Sequence, residues 1–208
     1  MFPTFLDHLI LGASDLARGI DFIEQRTGVR AAFGGVHPGR GTHNALLSLG
    51  VHCYLEILAP DPNQNTLAWF HKLPQLREPR LVGWMAHVPD IEALAAKLRE
   101  SGIVFDSPNQ NWRLRPDGRR LTWKLLRLAE NPNGLLPIFI EWSTDSPHPA
   151  DDAPSGLRLV RFEIASPDHQ ELAITFRRLQ LDLRVVSGNR PLLEAGIAGP
   201  KGTAELIS

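Results

Sequence analysis

Leu55-Glu56-Ile57-Leu58, Ile140-Glu141-Trp142 and Ala204-Glu205-Leu206-Ile207 are three versions of one phrase, a glutamate set inside an apolar strand. Each phrase closes a segment that begins with an apolar strand and continues into a helix opened by an aspartate. The three aspartates, Asp15, Asp90 and Asp168, lie 75 and then 78 residues apart. Spacing that regular marks an internal repeat, which outranks any single motif. Because a sheet buries one face, a carboxylate recurring in these final strands asks for a cation, a metal or a hydrogen-bond donor.

Working outward from the phrases, the first unit reads strand (Phe5 to Leu11), helix, then three strands (Val29 to Phe33, Asn44 to Leu49, Cys53 to Leu58). Ser14-Asp15 supplies the capping oxygen, Leu16, Ile20 and Ile23 recur at helical spacing, and Thr27-Gly28 stops the helix. The second unit repeats this grammar with Val82 to Val88, a helix from Asp90 to Gly102, and strands at Ile103 to Asp106, Leu121 to Leu128 and Leu135 to Trp142. The third has Leu157 to Ala165, a helix after Pro167-Asp168, then Leu183 to Val186, Leu192 to Ala198 and Gly202 to Ile207. The expected class is therefore α+β, built from β-α-β-β-β modules over residues 1–60, 81–143 and 156–208. Polar stretches at Pro60 to Arg80 and Ser143 to Ser155 serve as joints.

The chain has 208 residues, 43% of them hydrophobic, enough to bury a sizeable core. Its 22 basic and 23 acidic residues leave a net charge of -1, so no long-range field points to nucleic acid or an anionic membrane. A small-molecule partner is expected instead. Cys53 is the single cysteine, which excludes an internal disulfide and fits a reducing, cytoplasmic setting. The Met1-Phe2-Pro3-Thr4 start lacks a basic segment followed by an apolar one, and the apolar run near Leu135 to Ile140 is broken by Pro137.

Side chains alternate across a strand, so His8 shares a face with Leu6 and Ile10, and Glu56 with Tyr54 and Leu58. An imidazole and a carboxylate that meet across one sheet are ordinary first-row metal ligands, suited to Zn, Mn, Fe or Ni. They are equally an internal hydrogen bond, and two residues alone leave both readings open.

Four runs make a resemblance specific: Asp7-His8-Leu9-Ile10-Leu11 with Asp15-Leu16, His37-Pro38-Gly39-Arg40-Gly41-Thr42-His43-Asn44-Ala45-Leu46, Tyr54-Leu55-Glu56-Ile57, and Pro137-Ile138-Phe139-Ile140-Glu141-Trp142. Together they resemble the glyoxalase-like group of the vicinal oxygen chelate superfamily, and the likeness covers nearly the whole chain. The resemblance implies modules paired into a cupped mixed sheet around one divalent ion. It implies metal ligands at His8, Glu56 and Glu141 and substrate contacts from His37, Thr42 and Asn44 in the Gly-rich loop; Glu141, or alternatively Glu56, is then the expected catalytic residue that leaves the ion to take a proton from carbon.

The chain departs from the full pattern where Gly83 aligns with His8, leaving the second module without a ligand in its first strand. His87 lies on the same face four residues along, ~13 Å away at ~3.3 Å per residue, too far to enter the same coordination sphere. In the third module Arg161 aligns with His8 opposite Glu205, and a guanidinium would neutralise that carboxylate without any metal. That module reads as scaffold, and its odd number leaves room for a homodimer. Trp112 to Arg120 reads as a solvated basic hairpin around Pro116-Asp117-Gly118. Trp69, Trp84 and Trp142 read as core or pocket wall. No nucleophile elbow or phosphate loop is present in the sequence.

The expectation is a metal-dependent enzyme of isomerase or lyase type acting on a small substrate with vicinal oxygens. The alternatives are a non-catalytic protein of the same architecture that sequesters a small molecule, and a dioxygenase, which normally needs two His and one carboxylate on iron.

Overall fold

The computed structural model describes residues 5–131 and 134–208, so the Met1 to Thr4 start lies outside the described residues. Its first segment runs β1 (Leu6–Gly12), α1 (Leu16–Thr27), β2 (Ala32–His37), β3 (Thr42–Gly50) and β4 (Cys53–Pro60). The second follows with β5 (Arg80–His87), α2 (Ile91–Glu100), β6 (Asn109–Leu114), β7 (Arg120–Arg127) and β8 (Ile138–Trp142). A four-residue helix, α3 (Pro149–Asp152), leads to β9 (Arg158–Ser166), α4 (His169–Arg178), β10 (Arg184–Ser187), β11 (Leu192–Gly199) and β12 (Gly202–Ile207).

The first eight strands close into a barrel ordered β1-β4-β3-β2-β6-β7-β8-β5. Within it β1 pairs parallel with β4 and β5 parallel with β8, while β1 and β5 meet antiparallel and join the two halves. This mixed, curled sheet with few helices is the vicinal oxygen chelate architecture. Helix entry follows the capping logic twice: Asp15 accepts from the Arg18 amide, and Asp90 accepts from those of Glu92 and Ala93. Asp168 stands at the third entry without a side-chain cap bond. Helix α1 ends where Gly28, at φ 83, turns left-handed and returns its amide to the Glu24 carbonyl.

The third segment makes a separate sheet, β10-β9-β11-β12, laid on the outer wall of the barrel. Trp84, fully buried on β5, joins them: its ring meets Phe162 of β9 edge-on at 5.5 Å and stacks on Phe176 of α4 at 6.2 Å. On the outward face of that sheet Arg161 Nη2 reaches Glu205 Oε2 at 2.5 Å, and its Nη1 bonds both Glu163 and Glu194. One guanidinium thus holds three carboxylates, as the alignment of Arg161 opposite Glu205 anticipates.

One strand departs from expectation. Ile103 to Asp106 contributes only an isolated bridge between Phe105 and Leu128, and the wall is built instead by β6, whose inward residues are the polar Asn111 and Arg113. Strand β6 pairs with β7 from Asn109↔Leu125 to Leu114↔Arg120, so the basic hairpin is barrel wall. No helix among the described residues is long and apolar enough to cross a membrane.

Candidate functional site

The barrel encloses a cavity of about 230 Å³, open at one end and walled by residues from both halves. Its floor is formed where β1 and β4 pair. His8 on β1 and Glu56 on β4 point inward, and the His8 Nε2 to Glu56 Oε2 distance is 3.6 Å. Both are buried. On its other side His8 Nδ1 is bonded to Asp7 Oδ1 at 2.6 Å. Neighbours on a regular strand point to opposite faces; here the β1–β5 register slips between Leu6 and His8, which allows both side chains to serve one network. Asp7 Oδ2 accepts from Trp142 Nε1 at 2.9 Å and lies 3.3 Å from His148 Nε2. Tyr54 stacks its ring on His8 at 4.3 Å between centroids.

The β2–β3 hairpin adds the second half of the network. Asn44 donates through Nδ2 to Glu56 Oε1 at 2.7 Å, and the same nitrogen lies 3.3 Å from His37 Nε2. His37 Nδ1 meets Thr42 Oγ1 at 2.9 Å. Thr42, His37, Asn44 and Glu56 are thus linked in turn, Glu56 faces His8 across 3.6 Å, and His37, Thr42 and Asn44 all line the cavity. Gly34 makes this possible: a Cβ there would come within 2.4 Å of Asn44 Oδ1. Gly41 does the same for the roof. It holds φ +76, and a Cβ would fall 1.5 Å from the Thr66 carbonyl oxygen of the covering segment. Replacing Gly41 by Val should lift that segment and raise its protease sensitivity, measured by limited proteolysis against the parent protein.

Charge is distributed unevenly over these groups. Burial opposes a charge on His8, yet the Asp7 hydrogen bond and the attraction of the Asp7 and Glu56 carboxylates hold its pKa up to about 9. Burial likewise opposes a charged Glu56, but the His8 imidazolium and the Asn44 amide bring it down to about 2. Asp7 is held well below the usual carboxylate range against its burial, by His148 and His8. Burial pushes His37 down to about 4 even with Glu56 Oε1 3.8 Å from its Nε2, and Arg113 adds to the fall, so it stays neutral.

These directions fix a pH dependence of stability. Below its ordinary 6.5 the raised His8 contributes fully, and that contribution is lost as pH rises through 9. His37 works oppositely: its pKa falls on folding, so stability declines as pH drops from 6.5 towards 4. Glu56 adds stability above 4.5 that disappears as pH falls through 2. Denaturant midpoints should peak near pH 6.5, and His8→Gln should flatten the limb between 6.5 and 9.

Glu141 is elsewhere. Its Oε2 accepts from the amide of Ile91, the first residue of α2, at 2.7 Å, and Oε1 faces Lys124 Nζ at 3.9 Å. The inward residues of β8 are its neighbours Ile140 and Trp142. Aligning the two glutamate phrases places Glu141 one residue out of phase with Glu56, and such a slip moves a side chain to the opposite face. Glu141 is therefore placed at the start of α2, away from the cavity that holds His8 and Glu56. Glu141→Ala should cost about 1 kcal/mol in thermal or urea unfolding, the scale of a lost N-terminal cap, and leave ligand affinity of the cavity unchanged. Nor is the vacant ligand position Gly83: the β5 residue opposite His8 in the cavity is Met85.

The donor set implied for a divalent ion is thus not assembled at the cavity. Two protein donors, His8 Nε2 and the Glu56 carboxylate, face a point where a catalytic centre takes three. Among the described residues the group of three whose donor atoms lie within 4.8 Å of one another is His52, His148 and Asp151, outside the cavity. There His148 already accepts the Ala150 amide on Nδ1 and faces Asp7 through Nε2.

Three residues of the site lie outside the candidates named from sequence: Asp7, behind His8, because regular alternation turns it outward; Tyr54, placed only on the face of Glu56; and Arg113, which reads with the solvated hairpin. At the rim Arg40 stacks over Trp69 at 4.5 Å and bonds Asn109 and Asn111. Arg127 approaches the same ring at 4.9 Å.

A mixed barrel of paired β-α-β-β-β halves, with its polar network on the first and fourth strands, defines a member of the vicinal oxygen chelate superfamily. Residues 6–180 match the glyoxalase-like domain family, and the chain belongs to it. No curated protein matches the sequence. A solved structure of a hypothetical protein from Staphylococcus aureus superposes with a TM-score of 0.66 at 17% identity, covering 96% of this chain and 84% of that one. Methylmalonyl-CoA epimerase from Mycobacterium tuberculosis gives a TM-score of 0.47 at 18% identity, over 68% of this chain and 91% of that one. A substituted Streptomyces coelicolor methylmalonyl-CoA epimerase, solved with 2-nitronate-propionyl-CoA, gives 0.47 at 21% identity, over 69% and 98%.

Proposed function

We propose that the protein is an isomerase-type enzyme that moves a proton at the carbon beside a carbonyl of a small oxygenated substrate held in the barrel. The observation that carries this reading is the pairing of a charged donor and a charged acceptor on one cavity floor, His8 Nε2 and Glu56 Oε2, 3.6 Å apart. A separation slightly beyond a direct hydrogen bond leaves both atoms free to engage a ligand. Glu56 takes the proton from carbon, the C–H electrons form the carbon–carbon double bond, and the carbonyl oxygen receives the His8 proton. Return of a proton to the other face, or to a neighbouring oxygenated carbon with the carbonyl shifted, completes an isomerisation. No atom is gained or lost.

The resting Glu56 is a weak base, because the imidazolium stabilises its charge. As the His8 proton passes to the substrate oxygen that stabilisation fades and the carboxylate strengthens, which couples the two transfers. Asp7 fixes the imidazole so that Nε2 faces the cavity. His37, neutral, and Asn44 hold Glu56 and the substrate oxygens in place. The single cysteine supports a cytoplasmic setting.

Incubating the protein in D2O with a panel of short 2-oxo acids, 2-hydroxyketones and 2-hydroxyaldehydes, and following the carbon-bound protons by NMR, tests the reading. The expected result is catalysed deuterium incorporation at the carbon beside the carbonyl in at least one class. Saturable binding across the panel without any exchange would favour a sequestering protein instead.

A further inference from the structure

Arg113 is 3% exposed, projects from β6 into the cavity wall, and has no carboxylate within 4.0 Å among the described residues. Its sole hydrogen bond to those residues is Nη1 to the Gly34 carbonyl, from a guanidinium that offers five N–H donors. The buried side-chain atoms left without a partner among the described residues are Asn44 Oδ1, Glu163 Oε2 and His169 Nδ1. The other Arg113 nitrogens are not in that group, so they are not sealed inside protein. Other basic residues of the same hairpin are paired: Arg115 with Asp152, Arg119 with Asp117. A buried guanidinium facing open space is costly unless an anion arrives to meet it.

The seat for Arg113 is built. Strand β2 shifts register between Phe33 and Gly35, and a Cβ on Gly35, at φ +147, would lie 2.4 Å from the Leu114 carbonyl and 3.2 Å from Arg113 Nη1. Two successive glycines thus let the arginine lie flat against the β2 backbone. Tyr54, also in the cavity wall, makes no hydrogen bond to the described residues through its hydroxyl, which is likewise absent from the sealed, unpartnered atoms.

We infer that the substrate carries a carboxylate, which docks edge-on against the Arg113 guanidinium with the Tyr54 hydroxyl as a further donor. The planar fork of arginine matches the two oxygens of a carboxylate with parallel bonds. Arg113 and Glu56 both line the cavity and form no ion pair with each other, so the acid's carboxylate is assigned to Arg113 and its carbonyl carbon to His8 and Glu56. This inference rests on the isomerase reading for what happens at that carbon, and on Arg113 and Tyr54 alone for what is bound.

The test is a titration of the full chain with 2-oxobutanoate and with its neutral methyl ester, read by quenching of Trp123 and Trp142 in the cavity wall. The acid should bind at least about tenfold more tightly than the ester. Arg113→Met should remove that preference while retaining ester binding, and Arg113→Lys, which keeps the charge but not the fork, should fall between. Tyr54→Phe should weaken the acid alone. Glu56→Gln should leave the preference intact even where it abolishes exchange, which separates the two claims: preference without exchange would sink only the isomerase reading. Equal binding of acid and ester by the unaltered protein, no saturable binding of the acid at millimolar concentration, or an undiminished preference in Arg113→Met and Arg113→Lys would overturn the carboxylate site.

Discussion

Glu56→Gln should lower the rate of solvent-proton exchange into substrate by a factor of about 10²–10⁴, the range that a positioned general base supplies. The amide keeps the shape of the carboxylate and can still accept from Asn44 Nδ2, so the cavity retains its form and substrate affinity should change far less than turnover. The substitution also removes one of the two anions that hold the His8 proton. His8 pKa should therefore move down from about 9, and the activity that remains should fall off at lower pH than in the parent. A rate within a factor of two of the parent would remove Glu56 from the chemistry.

Trp84→Ala should be the most destabilising single change, costing about 3–5 kcal/mol as a large-to-small core substitution. Trp84 sits at the contact between barrel and outer sheet, with the rings of Phe162, Phe176 and Phe5 around it. Its Nε1 donates to the Leu135 carbonyl at 2.9 Å, so removal leaves a buried acceptor without its donor as well as a void. Since a whole domain is stable by about 5–15 kcal/mol, that loss lowers the melting temperature by roughly 10 °C in a chain of this size. Trp84→Phe, which keeps the ring contacts and loses the hydrogen bond, should fall well short of it. A Trp84→Ala protein melting within a degree or two of the parent would mean that the outer sheet is not held to the barrel through this ring.

Much of the architecture was legible because local signals and long-range pairing agree. Capping aspartates, helical spacing and glycine stops placed α1 and α2 within a residue or two, and the phrase around Glu56 put that carboxylate on the inward face with Tyr54 and Leu58. The second module was harder for a physical reason. Strand β6 buries Asn111 and Arg113 and exposes Trp112 and Leu114, the reverse of the alternation by which a strand is recognised. By its pattern it reads as a solvated turn, and the apolar Ile103 to Asp106 run reads as the strand in its place. That inversion is the pattern expected of a wall that meets the carboxylate inferred above rather than a packed interior. Glu141 is a different case. Matching phrases by residue identity ignores phase, and the one-residue offset between Glu56 and Glu141 sets the second carboxylate against the start of α2. Asp7 was hidden by a register shift that no periodicity could reveal.

The most direct test of the account is the state of one imidazole. Selective ¹⁵N labelling of histidine, with the His8 ring nitrogens followed by NMR through a pH titration, reports whether Nε2 carries a proton towards the cavity. The account expects His8 to be doubly protonated at neutral pH, to titrate near 9, and to shift downward in Glu56→Gln. A neutral His8 ring at pH 7, titrating near 6.5 and indifferent to that substitution, would contradict it.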